Sequence, residues 1–265
     1  MLIWLFPFQT RFQFLSRMEI HLPVPSLRLV IALYEFVILL FSLSLHESAH
    51  AWMASRLGDH TGRLEGRVSL NPTRHIDLLG TLIYPMLMIF GPLFGITWFG
   101  NGNIIMGWGK PPQVITRNLK RITRDDNLIT LAGPIANLLL AIASFLLLVL
   151  LILVIPGGRS AVEGTLEGAL IQGGVSIPQA LALLGLLTIQ VNLGLIFFNL
   201  LPIPPLDASR ILRNMLPYNA LNTFDSIARF AVILIFFFGS IVVSIFLAPA
   251  MGLVRRTLAL ILNSQ

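Results

Sequence analysis

Leu45-His46-Glu47-Ser48-Ala49-His50-Ala51 closes a long apolar run, residues 27–45, and the rest of the chain is read outward from it. On a helix, positions i and i+4 lie on one face, a turn apart. His46 and His50 can then reach one metal ion. Glu47, beside the first of them, is placed to hold a water molecule and take its proton. This is the HExxH arrangement of a zinc-dependent hydrolase. Two imidazoles and a carboxylate beside a hydrocarbon-facing run are costly unless a function uses them.

The surrounding composition is that of a membrane protein. The chain is 55% hydrophobic and 11% charged, with a mean hydropathy of +0.83, which points to several spans rather than a soluble domain. A net charge of +6 would suggest nucleic acid in a soluble protein. Here the basic residues sit between apolar runs, where they face anionic lipid. Membrane lipid is therefore the expected partner and nucleic acid is not. The absence of cysteine removes disulfides and thiolate metal sites, so any zinc must be held by histidine and carboxylate. The first residues are apolar and aromatic but broken by Pro7 and Arg11. They are too short to span and lack a small-residue cleavage site, so residues 1–27 are expected to lie in the membrane interface.

Four full spans are expected, at residues 27–54, 127–155, 177–201 and 225–247. Glu35, inside the first, should lie near the far interface or face the bundle. Arg63-Leu64-Glu65-Gly66-Arg67-Val68-Ser69-Leu70 alternates with period two and predicts a strand or short hairpin at the membrane surface, ended by Asn71-Pro72. A second short strand is expected at residues 104–106. His75 and Asp77 read as interfacial polar groups. Residues 78–99 are apolar but interrupted by Pro85, Gly91-Pro92 and Gly95, and both flanks are basic, so a re-entrant hairpin is favoured over a span. Gly133-Pro134 permits close approach of a neighbouring helix, and Asn137 places an amide in an apolar run where it needs a partner. Residues 156–178 read as a Gly-rich outer loop.

Asn192 and Asn199 are seven apart and share a helix face toward the bundle. Pro202, Pro204 and Pro205 then forbid helix and force an extended course to Asp207. A lone carboxylate there needs a cation. Arg210 or Arg213 would serve, and so would a metal for which HExxH leaves one ligand missing. Residues 248–265, with Arg255-Arg256, fit no span by the charge rule and read as an interfacial helix.

Taken together, the HExxH motif, Ser69-Leu70-Asn71-Pro72 through Asp77, Gly107-Trp108-Gly109-Lys110-Pro111, Ala132-Gly133-Pro134 through Asn137, and Asn199 through Asp207 with Arg210 resemble the site-2 protease family of intramembrane zinc metalloproteases. The likeness is to its short bacterial branch without a PDZ domain, over about residues 28–215. The resemblance implies an all-α polytopic membrane protein, with about four full transmembrane helices plus a re-entrant or broken hydrophobic segment, and short β-strands at the membrane surface. It implies one integral-membrane metalloprotease domain over residues 1–265, with a core at 28–215 and C-terminal helices at 216–265. Zinc would be held by His46, His50 and Asp207, with Glu47 as general base. Asn199 matches the family asparagine near the scissile carbonyl and is assigned to substrate binding, together with Asn137. Implied substrates are transmembrane segments of membrane proteins, such as anti-sigma factors or leftover signal peptides, cut in the bacterial inner membrane.

In one place the chain departs from the family: Ala208 stands where the family usually has glycine after the ligand aspartate. If that position needs a positive φ, alanine is strained there. This motivates an alternative, a weak or inactive pseudoprotease that binds membrane clients. A zinc or proton transporter is a third reading, but the chain has no internal repeat of the kind common in carriers.

Overall fold

A computed structural model of the chain describes residues 24–96, 106–168 and 176–264. Eight α-helices fall among the described residues: α1 Val24–Leu57, α2 Thr61–Leu64, α3 Tyr84–Phe90, α4 Ile122–Val154, α5 Gly158–Glu167, α6 Ile177–Asn199, α7 Asp207–Met215 and α8 Tyr218–Asn263. Four stretches are long and apolar enough to cross a membrane: Leu29–Leu57, Ile122–Val154, Ile177–Asn199 and Ile233–Asn263. Leucine, isoleucine and phenylalanine on every face of these helices suit a lipid solvent, and their outward rows stay exposed, as at Val37, Leu139, Leu146 and Ile245.

Helix α4 is central, packing against both α1 and α6. Polar side chains fix the pairings. Asn192 of α6 donates to the Ser42 hydroxyl of α1 at 3.0 Å, and both side chains are fully buried. The shared face predicted for Asn192 and Asn199 does turn inward, since both are buried. Glu35 is buried in the bundle.

The ends of α1 and α4 are drawn together by Asp59. Its carboxylate is fully buried and accepts from the Thr61 N–H and hydroxyl, the Ile115 N–H and the Asn118 amide, at 2.7–3.2 Å. Burial alone would raise this carboxyl, but those donors outweigh it and hold it below the ordinary carboxylate value. The segment between α1 and α4 therefore leaves and returns at one level. A π-helical turn, Leu78–Ile83, leads into α3, whose Tyr84 hydroxyl donates to the Ile235 carbonyl of α8 at 3.2 Å. The returning chain lies back on the turn, with the Trp108 N–H on the Gly80 carbonyl and the Lys110 N–H on the His75 carbonyl. Of the apolar stretch 78–99, the described part runs as the π-helical turn, α3 and a short turn, and residues 97–99 lie outside the described residues.

Several expectations need correction. Residues 63–70 form no strand: α2 and local bonds from Glu65, Gly66 and Arg67 satisfy the backbone, and Gly66 turns at φ +70°. An alternating pattern makes a strand only where a partner ladder and a buried face exist, and here Leu64, Val68 and Leu70 all remain exposed. The Arg67 guanidinium instead bonds the Arg74 carbonyl at 2.5 Å. Of the strand expected at 104–106, only Met106 lies within the described residues, and the interfacial segment 1–27 lies almost wholly outside them. His75 is buried rather than interfacial, its Nε2 on the Ser69 carbonyl at 2.8 Å.

Residues 158–167 are helix rather than loop, because Ala161, Val162 and Leu166 make one apolar stripe that buries against the core. The tail is no separate helix either. α8 runs unbroken for 46 residues through Pro249 and Arg255, about 69 Å at 1.5 Å per residue, far longer than a bilayer core.

Candidate metal centre

His46 and His50 sit in the last third of α1, one turn apart, with ring centroids separated by 4.6 Å and Nε2 atoms by 3.1 Å. The third group arrives from far along the chain. Bends after Asn199 carry the proline run to α7, whose first residue is Asp207. Asp207 Oδ2 lies 3.0 Å from His46 Nε2, and Oδ1 lies 3.4 Å from His50 Nε2. One ligand atom from each of the three lies within 4.8 Å of the others, and both histidines are buried. The arginines that offered a rival explanation for Asp207 are engaged elsewhere: Arg210 pairs with Asp126 at 2.6 Å and Arg213 with Asp225 at 3.1 Å.

The chemistry of the three groups fits a zinc ion. The Ile129 carbonyl only accepts, so the 2.7 Å contact from His50 Nδ1 places the proton on Nδ1. A neutral His50 then aims a lone pair from Nε2 at the cluster. Asn137 stands behind His46, fully buried, with its amide nitrogen 3.2 Å from Nδ1 and its Oδ1 unpartnered. Exchanging the two ends of that amide, which are alike in size, lets Oδ1 accept from Nδ1–H and frees the His46 Nε2 lone pair. Asp207 Oδ2 and Glu47 Oε2 are buried without a hydrogen-bond partner. Two imidazole nitrogens and a carboxylate are a common zinc donor set that leaves a fourth position open.

The space around these groups is created by missing side chains. A Cβ on Gly133 would overlap His50 Nε2 and come within 2.6 Å of His46 Nε2. A Cβ on Gly109 would come within 2.5 Å of Glu47 Cγ and 2.6 Å of Oε1. The close approach expected at Gly133-Pro134 is thus realised at the two histidines themselves. Gly109 and the Ile129 carbonyl were not foreseen. Gly107-Trp108-Gly109 carried the signal for the first, but a backbone carbonyl carries none. Asn199 is buried, and its amide donates to the Leu195 carbonyl at 3.0 Å. It makes none of the described contacts with His46, His50 or Asp207. Ala208 lies inside α7 in right-handed helical conformation, so the strain feared at this departure does not arise.

Comparison with known proteins agrees with this geometry. Peptidase family M50 matches residues 34–243. "Putative zinc metalloprotease YwhC" of Bacillus subtilis (strain 168) is 34% identical over 184 residues, covering 69% of each chain. "Putative zinc metalloprotease Rip2" of Mycolicibacterium smegmatis is 34% identical over 104 residues, 39% of this chain and 35% of that protein. Its namesake in Mycobacterium tuberculosis (strain H37Rv) is 36% identical over 102 residues, 38% and 34% of the two chains. No solved structure gives a significant match. With the match running from the middle of α1 into α8 and spanning the HExxH helix and Asp207 alike, the chain belongs to peptidase family M50 and is a zinc metalloprotease.

Proposed function

We propose that this protein is an intramembrane protease that cuts transmembrane segments of membrane proteins in the bacterial inner membrane, as a step of regulated proteolysis. The observation that carries the reading is the meeting of Asp207 with both HExxH imidazoles at the core of a bundle of membrane-length helices. Residues 28–215 act as the catalytic core, with residues 216–265 flanking it as one domain.

His46, His50 and Asp207 would hold the zinc ion. When bound, zinc supplies a Lewis acid that polarises the scissile carbonyl and acidifies water. Glu47 takes the proton of the attacking water and returns it to the leaving amine. Its unpartnered Oε2 is available for that work, and Gly109 leaves it room. Asn137 orients His46 from behind rather than touching substrate, as its sealed position supports. Asn199 remains the candidate for polarising the carbonyl.

A helical substrate hides its own amides and must unwind before attack. Residues 106–112 are tied through Trp108 and Lys110 to residues 75–80, which holds Gly109 against Glu47. The pseudoprotease reading loses its motive, because Ala208 is unstrained.

The test is zinc content and cleavage of a transmembrane reporter by wild type and Glu47→Gln. The variant should retain zinc and lose cleavage. Undiminished cleavage by Glu47→Gln removes the mechanism.

A further inference from the structure

A cavity of about 510 Å³ opens where α1 ends and α4 begins. Its walls carry Arg56 and His60 from the α1 side and Lys120, Arg121 and Arg124 from the other. The one carboxylate there, Asp125, is already engaged: it is buried and caps α4 by accepting from the Arg121 N–H at 2.9 Å. None of the four Lys and Arg side chains forms an ion pair among the described residues, whereas Arg210 and Arg213 each have a carboxylate partner. Like charges gathered around one hollow repel each other. They are held there by the Asp59 hydrogen bonds, which fix the two helix ends independently of the cations.

A second feature gives the missing anion its class. One turn deeper than each flanking arginine, on the same helix face, stands an exposed apolar residue. Trp52 lies below Arg56, whose guanidinium is 5.4 Å from the ring centre, and Leu128 lies below Arg124. Cations above and lipid-facing hydrocarbon below reproduce the layering of a phospholipid, phosphate over acyl chain.

We propose that this cavity is a binding site for the phosphate headgroup of an anionic phospholipid, held by Arg56, Lys120, Arg121 and Arg124, with Trp52 and Leu128 against its chains. Its occupant would clamp together the two helices that carry His46, His50, Ile129 and Asn137. This proposal does not depend on the protein's being an active protease.

The experiment uses the full chain in nanodiscs of phosphatidylcholine alone or mixed with phosphatidylglycerol. It reads phosphatidylglycerol retained per protein by native mass spectrometry, together with the thermal unfolding midpoint. Wild type should retain phosphatidylglycerol and unfold at higher temperature in the mixed discs. Arg56→Gln/Arg124→Gln should bind it about tenfold or more weakly, at about 1 kcal/mol per basic residue. Arg63→Gln/Arg117→Gln, which removes equal charge from exposed positions outside the cavity, should keep the wild-type response. Equal loss in both pairs means diffuse surface attraction and overturns the proposal. So does an equal midpoint rise with inorganic phosphate in phosphatidylcholine discs, which would mark a free-anion site. If the cavity pair fails to fold, Lys120→Gln carries the test, and unchanged retention in that variant is equally fatal.

Discussion

Two buried polar clusters lie within four turns of each other on and just beyond α1, and their hydrogen-bond accounts are opposite. Around Asp59, every neighbour donates: a hydroxyl, two backbone amides and an asparagine amide converge on a fully buried carboxylate. Around His46 and His50, acceptors are left over: Asp207 Oδ2 and Glu47 Oε2 are buried without hydrogen-bond partners. Burial without a partner costs about 1–3 kcal/mol per group, so such a cluster persists only where something else completes it. The first cluster is finished by the protein and serves the fold. The second is left for a group from outside the chain, and its donor set suits a zinc ion. A buried carboxylate alone therefore says little about function; its unmet valence says more.

That contrast can be broken by substitution. Asp207→Ala should remove zinc from purified protein and lower reporter cleavage by about a thousandfold or more, leaving the helical circular dichroism spectrum in place. Full zinc occupancy in that variant would dissolve the distinction. Asn137→Leu should weaken zinc by about 10–100-fold in chelator competition, while Asn137→Asp, which still accepts from His46 Nδ1–H, should restore it. Equal weakening in both would make Asn137 a packing residue. Gly133→Ala inserts a methyl group against both imidazoles and should weaken zinc by about tenfold, since overpacking costs about 1–3 kcal/mol. Gly252→Ala, with nothing within 4 Å, serves as the silent control.

On the other side of the contrast, Asp59→Asn should lower stability by about 1–3 kcal/mol, read as a reduced unfolding midpoint, with zinc content per folded molecule unchanged. The smallest effect is in pH. Because the Asp59 carboxyl is held below its ordinary value of about 3.9, it stabilises the folded state above that pH. The contribution fades as pH falls through the lower, folded value. The unfolding midpoint of wild type should therefore drop on acidification below about pH 4, and Asp59→Asn should show a shallower drop.

Legibility followed distance along the chain. HExxH could be read directly because its geometry is local: a helix puts His46 and His50 on one face wherever it is formed. The spans were legible for a similar reason, since lipid demands long apolar runs. Misreadings arose where a local pattern needed a distant partner. Residues 63–70 alternate like a strand but have no ladder to join. The tail looked separable at Ala248, yet α8 continues through Pro249 because its far half finds apolar surface to bury, at Met251, Leu258 and Leu262. The Ala208 departure looked like strain because backbone conformation at a substituted site is not written in the residue itself.

By its residues alone, then, this chain declared a membrane bundle with a histidine pair and an adjacent carboxylate on its first long helix. Only the tertiary structure decided which cation Asp207 answers, by giving Arg210 to Asp126 and Arg213 to Asp225 and bringing the freed carboxylate to two imidazoles. The physical reason is that a helix fixes spacing within a few residues, whereas pairing between distant groups depends on which of several competing partners packing brings within reach.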